Sequence, residues 1–193
     1  MHVSKYFGLA TSLLGATLLF AGLRLAMANS PCDMMQNDEP RIVLTQTTND
    51  GRELVTAVWA DGTMLIRSRL GDIRAPLLVA QTNAAAVEHA IAQMVDAGFF
   101  EGPGAFYAPP SSQVATICAS LNGKWNCYTW DERLEPLLAD PENQSFARLW
   151  FQSRGAIFTI VPASAKRLSE ALDESGKFRG YDPNRPERTQ WFK

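Results

Sequence analysis

The sequence predicts an α+β fold in which an antiparallel β-meander and a β-hairpin form a sheet packed with amphipathic helices, in the order βββ-α-ββ-α-α. Three observations carry this expectation. The runs RIVLTQTT, ELVTAVWA and TMLIRSR are β-branched and partly alternating, and Asn49-Asp50-Gly51 and Asp61-Gly62 separate them. Apolar Val87, Ile91, Met94 and Val95 then recur at helical spacing. Last, VATICASLNGKWNCYTW places two strand-like runs around Asn122-Gly123, the dipeptide best suited to a two-residue hairpin turn.

The first 28 residues read as an export signal. Lys5 lies near the start, residues 6 to 23 carry no charge, and Ala26-Met27-Ala28 puts small residues at the two positions a signal peptidase reads. The expected localisation is therefore extracytoplasmic, periplasmic or secreted, with cleavage after Ala28. The alternative is a membrane anchor formed by residues 6–23, at the lower edge of a spanning length. Gly8, Ser12, Gly15 and Gly22 dilute that run, and Arg24 before the Ala-x-Ala site suits cleavage better. Lipidation at Cys32 fits poorly, because Pro31 and Asn29 stand where a small and an aliphatic residue are wanted.

Cleavage removes Lys5 and Arg24 and no acid, leaving 16 basic against 20 acidic residues over 165 positions. That length suits one domain with an ordinary core. A mildly acidic chain without a basic cluster lacks the electrostatic footprint of a nucleic-acid partner, and membrane contact is expected only if the signal segment is retained.

Residues 29–40 are polar and unpatterned and read as a flexible lead-in, so a single domain is expected over 41–176. Its three-stranded meander spans about 41–69. Asp-Gly supports a hairpin because the left-handed backbone of a type I′ turn suits Gly and is tolerated by Asp. The same cluster lacks the spaced carboxylates and closing Glu of a calcium loop.

Asn83 to Ala97 follows as an amphipathic helix, with Thr82 or Asn83 as N-cap and Gly98 as its stop, and Phe99-Phe100 enters the core beyond it. The Gly/Pro-rich stretch EGPGAFYAPPSS reads as a long surface loop. Phe106 and Tyr107 in its middle are candidate binding residues, the alternative being that they cover the core from outside.

A two-residue Asn122-Gly123 loop pairs Leu121 with Lys124, and counting outward pairs Ser120 with Trp125, Ala119 with Asn126 and Cys118 with Cys127. The last is a non-hydrogen-bonded pair, with Cα atoms about 4.5 Å apart, within reach of a disulfide. A structural Cys118–Cys127 bridge is therefore expected, and Cys32 remains the odd cysteine, able to join two chains. Alternation sorts Ala115, Ile117, Ala119, Leu121, Tyr128 and Trp130 onto the face meeting the helices. The disulfide lies on the other, with Thr116, Ser120, Trp125 and Thr129.

Asp140-Pro141-Glu142 has the chemistry of a helix start, and Phe146, Leu149 and Trp150 supply its buried stripe. The run 156–161 fits helix or strand, and helix to about Val161, stopped by Pro162, is favoured. A last helix is expected from Ser164, with Leu168 and Leu172 inward and Gly176 as its end. Residues 177–193 then form a Pro-interrupted tail whose Trp191 and Phe192 either dock on the domain or form a sticky terminus.

Catalytic chemistry is scarce. His2 leaves with the signal, and His89 points away from the apolar stripe of its helix, toward solvent. No nucleophile elbow, phosphate loop or His/Cys metal cluster is present, so no cofactor, metal or catalytic residue is assigned. Paired carboxylates are the one catalytic option left, for instance Asp131 or Glu132 with Asp61 across the sheet.

The segments VWADGTMLIRS, VEHAIAQMVDAGFF and CASLNGKWNCYTWDE, within about 41–161, resemble many small exported bacterial proteins of unassigned function. Their element order is also similar to that of emfourin-type metalloprotease inhibitors, although the Gly-rich motif of that family is missing at Thr45 to Thr48. The similarity is one of layout and implies no functional residue. Two functions are therefore expected: a non-catalytic extracytoplasmic binding or inhibitory module for a protein or envelope component, or a carboxylate-dependent hydrolase of cell-envelope polymers.

Overall fold

A computed structural model describes residues 39–48, 51–69, 72, 74–102, 114–131, 141–189 and 191. The proposed signal, the lead-in to residue 38, Cys32, Phe106, Tyr107, Glu132, Asp140 and Phe192 lie outside the described residues. Seven strands form one antiparallel sheet: β1 Ile42–Thr48, β2 Gly51–Val58, β3 Thr63–Arg67, β4 Leu77–Gln81, β5 Val114–Leu121, β6 Lys124–Asp131 and β7 Ala165–Arg167. Their spatial order is β6-β5-β1-β2-β3-β4-β7. Helices α1 (Ala84–Asp96) and α2 (Pro141–Thr159) pack on one another and on one face of the sheet. The architecture is thus α+β, as expected, with a larger sheet.

The α1 boundaries follow from local chemistry. Asn83 is extended, and its side chain accepts a 2.8 Å hydrogen bond from the Ala86 amide, satisfying one of the donors a helix start leaves free. At the other end Gly98 takes φ +82°, its amide donates to Val95 and that of Phe99 to Met94. This paired closure needs a left-handed residue, which glycine adopts without strain. Val87, Ala90, Ile91 and Met94 are buried, whereas Val95, expected in the stripe, is 37% exposed. Phe99 is fully buried and Phe100 partly so.

The β5–β6 hairpin has the expected register throughout, from Leu121 opposite Lys124 to Val114 opposite Asp131. Asn122 (φ +52°) and Gly123 (φ +74°) are both left-handed, as a type I′ turn requires. The Asp61-Gly62 turn is built differently: only Gly62 has positive φ, and the Gly62 amide donates to the Trp59 carbonyl, so the turn takes in Ala60 as well. A Cβ at Gly62 would lie 2.5 Å from the Thr82 carbonyl oxygen, so the turn is packed directly against the end of β4.

Two expectations are corrected. First, the meander continues into a fourth strand, Leu77–Gln81, hydrogen-bonded to β3. It shows no clean alternation because both faces are covered: Val79 belongs to one core and Ala80 to the other. Second, the segment after Ser164 is no helix. Ala165–Arg167 pairs with Leu78–Ala80, and a short 3-10 turn over Leu168–Glu170 follows. The outer edge of β4 presents backbone groups that need partners, and the returning chain supplies them shortly after α2 ends at Thr159. Leu168 still turns inward, toward a different core.

Within the segment after residue 176, Phe178, Tyr181 and Trp191 dock on the sheet. On the face opposite the helices, Val43, Leu54, Ala57, Trp59, Leu65 and Val79 pack with Leu168, Phe178, Tyr181 and Trp191. Trp191 meets Trp59 edge-on at 5.6 Å and stacks on Tyr181 at 5.9 Å, and its indole N–H donates to the Arg179 carbonyl. Docking is therefore the alternative that Trp191 adopts. A bulge makes room for both cores. Opposite the Leu44–Thr45 step, Val55 is inserted in β2, which turns Val55 to the helix side and Leu54 to the other.

α2 passes through Gly155 and ends at Thr159, so residues 156–159 are helical as favoured. Ala147, Trp150, Ser153, Ala156 and Ile157 are buried, and Phe146 and Leu149 partly so.

Candidate functional site

The β5–β6 hairpin is cross-linked across its strands. A disulfide joins Cys118 and Cys127 directly across the strands, with Cα atoms 4.1 Å apart. On the same face Thr116 and Thr129 share a 3.1 Å hydrogen bond, while Ala115, Ile117, Ala119, Tyr128 and Trp130 are buried against the helices. Both expected faces are thus realised. Trp125, beyond the disulfide toward the turn, is 41% exposed.

A hollow of about 410 Å³ lies at the hairpin tip, bounded by Phe100, Gly102, Leu121, Lys124, Trp125 and Asn126. Asn126 locks the tip to the end of α1, its side-chain amide donating to the Phe99 carbonyl. Gly102 lies so close to Tyr128 that a Cβ there would approach the phenolic oxygen to 2.5 Å. Gly102 is the last described residue before the segment carrying Phe106 and Tyr107, which lies outside the described residues.

A second hollow, of about 530 Å³, opens on the other side of the sheet beside β7. Thr63 and Gln81 form its polar floor, joined by a 3.1 Å hydrogen bond, with Val79 beside them. Phe178 and Arg179 wall one side and Lys166 another. Arg179 has φ +46° and Gly180 +76°, and Phe178 and Tyr181 exchange backbone hydrogen bonds around them. The Arg179 guanidinium pairs with Asp61 and lies 5.5 Å over the Trp59 ring. Burial opposes ionisation of Asp61, but the Thr63 amide and Arg179 more than reverse it and hold the carboxyl below its ordinary value. Burial pushes the neighbouring Tyr181 phenol up to about 12, so it stays protonated at neutral pH.

Of the carboxylates weighed for catalysis, Asp61 and Asp131 are not brought together, and Glu132 lies outside the described residues. Val58, Ile42, Ala119 and Asn126 form one row across four strands. Asp61 lies beyond Val58 toward the hairpin tip, and Asp131 is five residues from Asn126 in the opposite direction. Strand rise and spacing put them roughly 20 Å or more apart, far beyond the separation of a glycosidase pair. Asp131 is buried at the end of β6, and Asp61 is committed to Arg179. His89 is exposed, as expected, and shares a 3.1 Å hydrogen bond with Gln93 one helical turn on. No group of three or more His, Cys, Asp or Glu among the described residues could hold a metal ion.

Arg179, Lys166 and Gln81 were not legible as a group, since they come from three distant segments. One signal was present: Phe178-Arg179-Gly180-Tyr181 is an aromatic-flanked X-Gly turn.

No protein-family model matches the sequence, and no curated protein matches it at a significant level.

Proposed function

We propose that this chain is a non-catalytic extracytoplasmic binding module, which engages a protein or envelope component through the tip of the β5–β6 hairpin and the adjoining 103–113 segment. One observation carries the reading. Trp125 stands exposed on a cross-linked hairpin and lines a hollow together with Gly102, the last described residue before the stretch bearing Phe106 and Tyr107. A pre-ordered aromatic loses little entropy on binding, and tryptophan is favoured at the centre of interfaces. The intramolecular disulfide is compatible with an oxidising compartment. Among the described residues no helix is long and apolar enough to cross a membrane. The signal over residues 1–28, cleaved after Ala28, completes the proposal, and a retained anchor at 6–23 is its alternative.

The test is capture from envelope extract with the mature chain, with Trp125→Ala, and with residues 103–112 scrambled. Partners held by the native chain and lost by both variants would support the reading, as would inhibition of a secreted metalloprotease lost in the same way. Identical partner sets for all three proteins would overturn it.

A further inference from the structure

We propose that the hollow beside β7 is a binding site for a small organic monocarboxylate carrying an apolar group. It is independent of the hairpin tip, which lies on the far side of the sheet order. The volume of about 530 Å³ falls in the range of small-molecule sites. Two cations from separate segments line it. Lys166 is exposed on β7, opposite Val79 and hence on the same face as that residue, and makes no ion pair among the described residues. Arg179 arrives from the C-terminal segment.

Arg179 is held, not merely present. A residue with a side chain rarely takes φ +46°, and here it does so at the first position of a two-residue turn where Asn or Gly would be unstrained. What that conformation secures is the guanidinium, fixed between the Trp59 ring and the Asp61 carboxylate. Asp61 engages one terminal nitrogen, Nη2, and the planar group carries five N–H donors, so donors remain for a ligand. Strained residues of this kind concentrate at functional sites.

Charge selects the ligand class. Lys166 and Arg179 against Asp61 leave one positive charge, which a single carboxylate balances and a phosphate dianion exceeds. Phe178 and Val79 offer the apolar surface for the remainder of the ligand. The Thr63–Gln81 floor is occupied by its own hydrogen bonds, Gln81 also donating to the carbonyls of Asp61 and Thr82, so selectivity falls to the two cations.

The probes are phenylacetate, its neutral analogue phenylacetamide, and inorganic phosphate, titrated into the mature protein with amide chemical shifts as the readout. Phenylacetate is expected to shift residues 164–166 and 178–180, and to bind at least tenfold more tightly than phenylacetamide. Lys166→Gln, a surface change that leaves the Asp61–Arg179 pair intact, is expected to weaken it three- to tenfold with an unchanged melting temperature. Arg179→Lys is expected to weaken it further. Equal affinity for acid and amide, shifts confined to other regions, or no effect of Lys166→Gln would overturn the proposal. Preference for phosphate over phenylacetate would overturn the assigned ligand class.

Discussion

Cys118 and Cys127 occupy directly opposed positions of β5 and β6, joined by a disulfide three residue pairs beyond the one that flanks the Asn122-Gly123 turn. The relationship follows from counting alone, because a two-residue turn leaves no freedom in which residues face each other.

Mass spectrometry of the non-reduced mature protein should therefore show a peptide linking residues 118 and 127. Cys118→Ser should cost about 2–3 kcal/mol in urea unfolding, the value the loop-entropy account assigns to so short a loop. Cys32→Ser should abolish any reducible dimer and leave stability unchanged. A link from Cys32 to either hairpin cysteine would contradict both expectations.

Gly62 and Gly123 separate two costs of a side chain. Both have positive φ, but a Cβ at Gly62 meets the Thr82 carbonyl at 2.5 Å, whereas one at Gly123 meets nothing within 4 Å. Gly123→Ala should cost about 1 kcal/mol for the left-handed backbone alone. Gly62→Ala should cost about 2 kcal/mol or more, since the turn must also move away from β4. Equal losses in chemical denaturation would show that the approach to Thr82 relaxes freely.

The Asp61–Arg179 pair predicts a dependence on acid. The folded carboxyl titrates below its ordinary 3.8, so its contribution is present above that value and fades as pH falls through the folded pKa. The carboxylate is half exposed, which limits the pair to under about 1 kcal/mol. Thermal melts should place Asp61→Asn below the native protein at about pH 6, and the two should converge as the pH falls through the folded pKa of Asp61. A constant gap over that range would assign the effect to lost turn hydrogen bonds rather than to charge.

Trp191 tests the second core. Partly buried between Trp59 and Tyr181, it should cost roughly 2–3 kcal/mol on replacement by alanine, less than a fully buried tryptophan. Truncation after Gly176 removes Phe178, Tyr181 and Trp191 together, and should leave a protein that binds hydrophobic dyes. A truncated chain as stable as the full one would show that this segment contributes nothing to the fold.

The sequence by itself determined the features set by neighbours in the chain. Asn83 and Gly98 bound α1 through their own hydrogen bonds and backbone preferences, Asn122-Gly123 sets the hairpin register, and that register brings Cys118 to Cys127. Only the tertiary structure decided what the far side of the sheet holds. β4 hides its strand character because Val79 and Ala80 face two different cores, and β7 exists because the edge of β4 needs backbone partners. The Leu168 and Leu172 spacing suited a helix equally well. The Val55 bulge, the docking of Trp191 and the meeting of Asp61 with Arg179, 118 positions apart, depend on surfaces that exist only after the sheet has formed. Hydrogen bonding to an open strand edge and burial on both faces of a sheet are long-range demands, and no local pattern of residues encodes them.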